Sequence, residues 1–339
     1  MMDHLSTEVR YTLLSVFAAL VVASATTIAM AIRRRDRDYS LLRSRIRTWW
    51  MITGLFALAL ALSPTAAVWL LACVSFLALK EFMSMSPTRR ADRRVIAYAY
   101  LAIIGQYYFA ATGWYGMFIM FIPVVLFVIL PTRMIMIGQA EGFLRAAGTL
   151  HWGLMITVFA VSHAAFLLVF SPSESPRLPG SFPSEVAAAF PGPGLLLFLI
   201  LLTELNGIFQ YLVTQHIVPL MRLEKALPKE NGVQDKDHRL FSPDKTYPGV
   251  IGAVACTALV AGLLGPYLTL MDAPRSLIAG LIISVTGFAS QLSIRAIKRD
   301  LKIDNFGATL PGHGGVLDRI DSLIFTAPLF FHFVYFYYG

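Results

Sequence analysis

Charged residues and cysteines are both scarce in this sequence, and each shortage excludes a class of protein. Asp, Glu, Lys and Arg make up 14% of the 339 residues, whereas hydrophobic residues make up 57%. This composition excludes an ordinary soluble domain. Only two cysteines occur, Cys73 and Cys256, and both lie in apolar stretches. A disulfide scaffold is therefore excluded, and we expect two buried thiols rather than a disulfide or a metal pair.

Long apolar runs are the main feature of the sequence. Ten of them approach the roughly 20 residues that a helix needs to cross a bilayer. They are residues 11–32, 49–62, 65–82, 95–112, 113–130, 149–170, 194–214, 248–271, 274–294 and 322–338. This pattern predicts an all-α fold, a polytopic integral membrane bundle of about ten transmembrane helices. We divide it into N-terminal helices in residues 1–148 and C-terminal helices in residues 149–339, which carry the polar motifs.

Basic residues outnumber acidic residues, 28 to 20, and they cluster between the apolar runs. Seven of them follow the first run: Arg33, Arg34, Arg35, Arg37, Arg43, Arg45 and Arg47. Because cytoplasmic loops are enriched in Arg and Lys, both termini are predicted to lie outside, with the later basic clusters on the cytoplasmic side. The formal net charge of +8 is then an inner-leaflet signal, and nucleic acid is not an expected partner. Short loops suit a bacterial inner membrane.

The run from Pro311 to Asp321 places a histidine, the two glycines that follow it and two carboxylates just before the last apolar segment. The backbone of Gly314 and Gly315 can approach an anion closely, and a helix that begins after Gly315 would point its positive end there. On that helix Asp318 and Asp321 would share a face and could hold one hard cation. The alternative is a solvated helix face, but carboxylates beside a membrane segment are costly unless they bind something.

A second polar turn precedes the eighth apolar segment. Ser242 directly precedes Pro243, and Lys245 and Thr246 lie between Pro243 and Pro248, where a lysine and hydroxyl groups could hold a phosphate. The alternative is a capped helix start with an anchoring lysine.

Polar residues also occur within two apolar segments. Glu204, Asn206 and Gln210 interrupt the seventh segment, where they either line a site or bond to neighbouring helices. Lys80 and Glu81 end the third segment, and we interpret them as an interfacial ion pair.

Three blocks in order resemble the phosphatidate cytidylyltransferases, also called CDP-diacylglycerol synthases. They are residues 242–249, the pair Lys298-Arg299, and residues 310–322. The resemblance covers roughly residues 194–339 by motif. It implies an enzyme that joins CTP to phosphatidate or a related lipid phosphate, releases pyrophosphate, forms CDP-diacylglycerol, and uses Mg²⁺ or Mn²⁺. Expected partners are these substrates and membrane lipids. A second copy of the chain is a further expected partner, because polytopic enzymes with large apolar surfaces often form homodimers.

The resemblance also assigns roles to residues. Asp318 and Asp321 would be the metal ligands, and together with Lys298 and Arg299 they form the expected catalytic set. The two basic side chains would neutralise phosphates. The expected substrate-binding set is Ser242, Lys245, Thr246, His313, Gly314, Gly315 and Arg319.

The sequence departs from the family pattern at several polar positions. An acidic residue is replaced by Gly207, a Gly-Asp pair by Ser290-Gln291, a serine by Arg295, and a Lys-Asp pair by Asp304-Asn305. Each lost carboxylate removes a charge from a metal site, so a two-metal site would be hard to sustain. One Mg²⁺ needs only one or two carboxylates plus phosphate oxygens and water.

Two functions stay open on these grounds. The first is a nucleotidyltransferase with a reduced metal set, and the second is a catalytically silent relative that binds lipid phosphate or nucleotide or acts as a partner subunit. A transporter ranks behind both, because the sequence shows no inverted repeat with broken helices.

Overall fold

The computed structural model describes residues 5–33, 38–87, 89, 92–138, 140–170, 192–217 and 247–338. Within these ranges the chain forms helices and no strand. The helices are α1 Thr7–Arg33, α2 Ser40–Leu62, α3 Pro64–Met85, α4 Arg93–Ala111, α5 Tyr115–Ile135, α6 Phe143–Val169, α7 Gly192–Ile217, α8 Tyr247–Leu268, α9 Ala273–Leu301, α10 Val316–Arg319 and α11 Leu323–Tyr338. Helices α5, α6 and α7 each include one π-helical stretch.

Each predicted apolar segment corresponds to one long helix, and the all-α polytopic membrane fold is confirmed. Within the part of the chain that the structure describes, eight helices are long and apolar enough to cross a membrane: α1, α2, α3, α5, α6, α7, α8 and α9. The other two that match predicted segments are α4, which begins with two arginines, and α11, which has 16 residues. The proposed division between residues 148 and 149 falls inside α6 and stays a prediction.

A single residue, Ser63, joins α2 to α3, and this short connection fixes how the two helices lie relative to each other. Ser63 caps α3, because its Oγ accepts a hydrogen bond from Ala66 N at 3.0 Å, and Pro64 occupies the first helical position. So short a connection makes α2 and α3 antiparallel neighbours. The N-terminal end of α2 and the C-terminal end of α3 therefore lie at the same end of the bundle.

The last helix lies inside the bundle. Phe330, Phe331 and Val334 of α11 are fully buried, and α11 packs against α6, α7 and α9. Helix α9 ends with Lys302 in the left-handed conformation, with φ 57°, and the chain then turns through residues 303–315 before α10 begins. We call residues 303–315 the glycine loop.

The two cysteines are free thiols. Cys73 is exposed on the surface of α3, so the prediction that it is buried is wrong. An apolar helix face that meets lipid needs no protein neighbour, and apolarity alone therefore does not indicate burial in this class of protein.

Candidate active site

Positive φ angles shape the glycine loop. Gly312 has φ +76° and Gly314 has φ +83°, conformations that L side chains rarely adopt. The turn is closed by two backbone bonds: Leu310 N donates to Gly314 O at 2.8 Å and His313 N donates to Leu310 O at 3.0 Å. The predicted turn around His313 and Gly314 is therefore present.

Helix α2 holds this loop from one side. Thr48, which is 1% exposed, donates from Oγ1 to Pro311 O at 2.7 Å, and Arg45 Nε donates to Gly312 O at 3.2 Å. A Cβ on Gly312 would lie 3.0 Å from Ser44 Oγ, so a larger residue would crowd this contact. The first turns of α2 thus form part of the site, which sequence reasoning had built from the last four segments alone.

Glu81 of α3 holds the loop from the other side. Its Oε1 accepts hydrogen bonds from Thr309 Oγ1 at 2.6 Å and Val316 N at 2.9 Å, and its Oε2 accepts one from Leu317 N at 2.9 Å. The carboxylate therefore caps α10, and the residue as a whole is 7% exposed.

The interpretation of Glu81 as the partner of Lys80 is wrong. Lys80 is exposed, whereas the Glu81 carboxylate points into the loop. Sequence reasoning missed this residue because its partners lie 228 to 236 positions along the chain. The available signal was an acidic side chain at the end of an apolar segment.

Asp318 and Lys298, two members of the predicted catalytic set, lie in contact. Asp318 Oδ2 accepts hydrogen bonds from Gly315 N at 2.8 Å and Phe306 N at 3.1 Å. Its Oδ1 lies 2.6 Å from Lys298 Nζ, an ion pair that lacks the alignment of a hydrogen bond. The Asp318 side chain is 6% exposed and that of Lys298 is 19% exposed. The carboxylate is therefore held on both oxygens.

Asp321 lies on a different element from Asp318. Helix α10 ends at Arg319, and Asp321 falls in the turn before α11, so the expectation that the two carboxylates share one helix face is wrong. Ser290 Oγ of α9 donates to the backbone carbonyl of Asp321, and Ser322 Oγ donates to Asp321 Oδ1 at 3.2 Å.

Arg319 joins three parts of the chain. Its guanidinium pairs with Glu204 of α7, and its central carbon lies 4.2 Å from the centre of the Trp49 ring. The Trp49 ring also meets His313 edge to face, with centroids 6.3 Å apart. Burial lowers the pKa of His313, and the nearby cations Arg319 and Arg45 lower the pKa further.

The polar residues of α7 divide between two roles. Glu204 faces Arg319 and so belongs to the candidate site. Asn206 connects helices: its Oδ1 accepts from Ser284 Oγ at 2.7 Å and from Thr257 Oγ1 at 3.2 Å. Bonding to neighbouring helices, one of the two alternatives drawn from the sequence, therefore applies to Asn206, and the role of Glu204 in a site stays a prediction.

Comparison with known sequences assigns the family. The sequence model of the cytidylyltransferase family matches residues 43–217 and 232–337. The chain belongs to the cytidylyltransferase family. Uncharacterized protein YnbB of Escherichia coli (strain K12) is 35% identical over 322 residues, which are 95% of this chain and 97% of YnbB.

Phosphatidate cytidylyltransferases are similar over a shorter stretch. The protein from Synechocystis sp. is 39% identical over 100 residues, 28% of this chain and 32% of its own length. The protein from Staphylococcus epidermidis is 35% identical over 96 residues, 27% of this chain and 37% of its own length. These alignments span about a third of each relative. The resemblance to the phosphatidate cytidylyltransferase family is confirmed.

Three of the positions that depart from the family pattern lie close to this site: Gly207, Ser290 and Asn305. Gly207 follows Glu204 by one helical turn, and a Cβ built on it would meet nothing within 4 Å. Asn305 lies against Gly314, since a Cβ there would be 3.0 Å from Asn305 Oδ1. Ser290 bonds to the turn that carries Asp321. The predicted residues Ser242, Lys245 and Thr246 lie outside the described residues.

The oxygen donors fit one Mg²⁺ only in part. Carboxylate oxygens suit a hard cation, and Asp318 Oδ1 is a buried oxygen without a hydrogen bond in the described structure. Lys298 Nζ stands against that oxygen, however. Among the described residues no three His, Cys, Asp or Glu side chains cluster closely enough to hold a metal ion. The metal-binding roles of Asp318 and Asp321 stay predictions.

Proposed function

We propose that this chain is a membrane nucleotidyltransferase that joins CTP to phosphatidate or a related lipid phosphate. The products would be CDP-diacylglycerol and pyrophosphate. One observation carries the proposal, in a member of the cytidylyltransferase family. The glycine loop binds Asp318, which pairs with Lys298, and Trp49 contacts both His313 of the loop and Arg319.

The chemistry suits these groups. An oxygen of the lipid phosphate attacks the α-phosphorus of CTP, and the bond to the pyrophosphate leaving group breaks. The enzyme must neutralise and align anions, and it needs no strong base. Lys298, Arg299 and Arg319 would bind phosphate oxygens and stabilise the charge that develops in the transition state. A bound Mg²⁺, held by Asp318 and Asp321, would neutralise phosphate charge and act as a Lewis acid.

The same end of the bundle would face the cytoplasm. Arg43, Arg45 and Arg47 lie on the first turns of α2, and Arg45 contacts the loop directly. Basic residues at membrane helix ends favour the cytoplasmic side, where CTP is found. In a bacterial inner membrane this orientation puts the N-terminus outside.

The test is formation of a CDP-lipid by purified protein. Protein in mixed micelles receives radiolabelled CTP, phosphatidate and Mg²⁺ or Mn²⁺, and labelled CDP-diacylglycerol is the expected product. Asp318→Asn should lower the rate at least about a hundredfold. Arg275→Met is the matched control, because Arg275 pairs with Asp272 at the opposite end of α9. The proposal is rejected if wild-type protein that shows a cooperative thermal unfolding transition forms no product with either metal.

A catalytically silent relative is the second candidate. It is supported by Gly207 and Asn305 in place of acidic residues, and by the protein contacts that already occupy both oxygens of Asp318. This candidate predicts binding of CTP or phosphatidate without turnover. If Asp321→Ala abolishes a measured transferase activity, the catalytically silent candidate is excluded.

A further inference from the structure

We propose that Lys298 is a displaceable substitute for the metal ion at Asp318, so that a divalent cation binds only after a phosphate draws the lysine away. This inference rests on the proposed function of the site and concerns the order in which its ligands bind. It follows from the different ways in which the two oxygens of Asp318 are held.

One oxygen is fixed and the other can exchange its partner. Two backbone N–H groups, of Gly315 and Phe306, bind Oδ2 and belong to the folded loop. Within the described structure Oδ1 accepts no hydrogen bond, and the group against it is Lys298 Nζ at 2.6 Å. A carboxylate that is 6% exposed is costly without a cation, so the lysine neutralises it when no metal is present.

Lys298 is suited to exchange because of its position and chemistry. It stands in the last turn of α9, its side chain is 19% exposed, and four rotatable bonds lie between its Cα and the ammonium group. Arg319 differs, because Glu204 and the Trp49 ring both hold its guanidinium. A phosphate that enters the site can therefore attract Lys298 more readily than Arg319.

Lys298 and a divalent cation cannot both approach Asp318 Oδ1. Both would contact the same oxygen, where their like charges repel strongly at so short a distance. A nucleotide phosphate resolves the conflict, since it offers the lysine another anionic partner. Binding of the metal and binding of the phosphate then favour each other, and thermodynamic linkage makes the effect reciprocal.

The experiment titrates Mn²⁺ into detergent-solubilised protein without nucleotide or lipid, and electron paramagnetic resonance measures free Mn²⁺. Wild type should bind Mn²⁺ weakly. Lys298→Met, which removes the competing charge and keeps the apolar stem, should bind Mn²⁺ at least about tenfold more tightly. Lys298→Arg should behave as wild type. Adding Asp318→Asn to Lys298→Met should abolish the gain. Equal affinities of wild type and a folded Lys298→Met would overturn the inference.

A second measurement uses wild type alone, in case Lys298→Met does not fold. The affinity for radiolabelled α,β-methylene CTP, which cannot be transferred, should rise at least about fivefold when Mn²⁺ is present. An unchanged affinity contradicts the inference. Neither measurement depends on turnover. A protein that makes CDP-diacylglycerol but shows no lysine effect would reject this inference alone, whereas a lysine effect without product would reject only the transferase activity.

Discussion

Replacing Glu81 with alanine should release the glycine loop while the membrane helices stay in place. Glu81 is 7% exposed, and its carboxylate accepts hydrogen bonds from Thr309 Oγ1, Val316 N and Leu317 N. Both amides belong to buried residues at the start of α10, and in the described structure Glu81 is the partner of each. Alanine leaves these donors without an acceptor in a place that water reaches poorly.

The magnitude follows from the number and type of these bonds. A hydrogen bond to a charged group contributes about 1.5–3 kcal/mol, and an unpaired buried donor costs about 1–3 kcal/mol. Contributions at one group are not additive, so we expect a loss of about 3–5 kcal/mol in the free energy that holds the loop closed. This loss corresponds to at least about a hundredfold faster amide exchange at Val316 and Leu317 if the loop opens locally.

Hydrogen–deuterium exchange measured by mass spectrometry tests this expectation in detergent micelles. Peptides that cover residues 303–319 should exchange faster in Glu81→Ala, while peptides from α8 stay unchanged. Glu81→Gln keeps one acceptor oxygen and should give an intermediate rate. Lys80→Ala is the neighbouring control and should match wild type, because Lys80 is exposed. If Glu81→Ala leaves exchange at Val316 and Leu317 unaltered, the carboxylate does not hold the loop.

Three further outcomes follow from the geometry of the site. Gly314→Ala should destabilise the protein by about 2–3 kcal/mol in thermal unfolding, because φ is +83° and its Cβ would lie 2.9 Å from Asp318 Oδ2. Burial lowers the folded pKa of His313 below its unfolded value of about 6.5, so its stabilising contribution is present above that pH and lost as pH falls. The unfolding midpoint should therefore drop between pH 7 and pH 5, and His313→Gln should reduce the drop. Gly207→Asp should change stability by less than about 1 kcal/mol, because its Cβ meets nothing within 4 Å, and should raise the Mn²⁺ affinity.

The helices were predictable from the sequence because the bilayer sets their length and composition. The ends of the helices were less predictable, and α2 shows why. The apolar run begins at residue 49, whereas the helix begins at Ser40. The intervening turns carry Arg43, Arg45 and Arg47, which no search for apolar residues includes. Those turns contact the glycine loop through Arg45 and Thr48, so the part that was missed belongs to the site.

The sequence pointed to the glycine loop and its charged neighbours, but not to the residues that support the loop from other helices. The turn around His313 and Gly314 is present as predicted, with Gly314 left-handed. Lys298 and Asp318, two members of the predicted catalytic set, form an ion pair, and their catalytic roles stay predictions. Glu81 and Thr48 support the loop from 228 and 263 positions away. Sequence periodicity reports only neighbours on the same helix, so contacts of this range leave no periodic signal.

The spacing of the two carboxylates shows how one motif can mislead. Two aspartates three positions apart predict a shared helix face only if the helix continues past both, and α10 stops at Arg319. Asp318 is the third residue of that helix, and its carboxylate accepts the Gly315 N–H in front of it, as the acidic member of a capping box does. The sequence carried this alternative, since a glycine three positions before an aspartate fits a helix start. The capping role explains why Oδ2 is fixed, and it leaves Oδ1 as the Asp318 oxygen at which the lysine and a metal ion would compete.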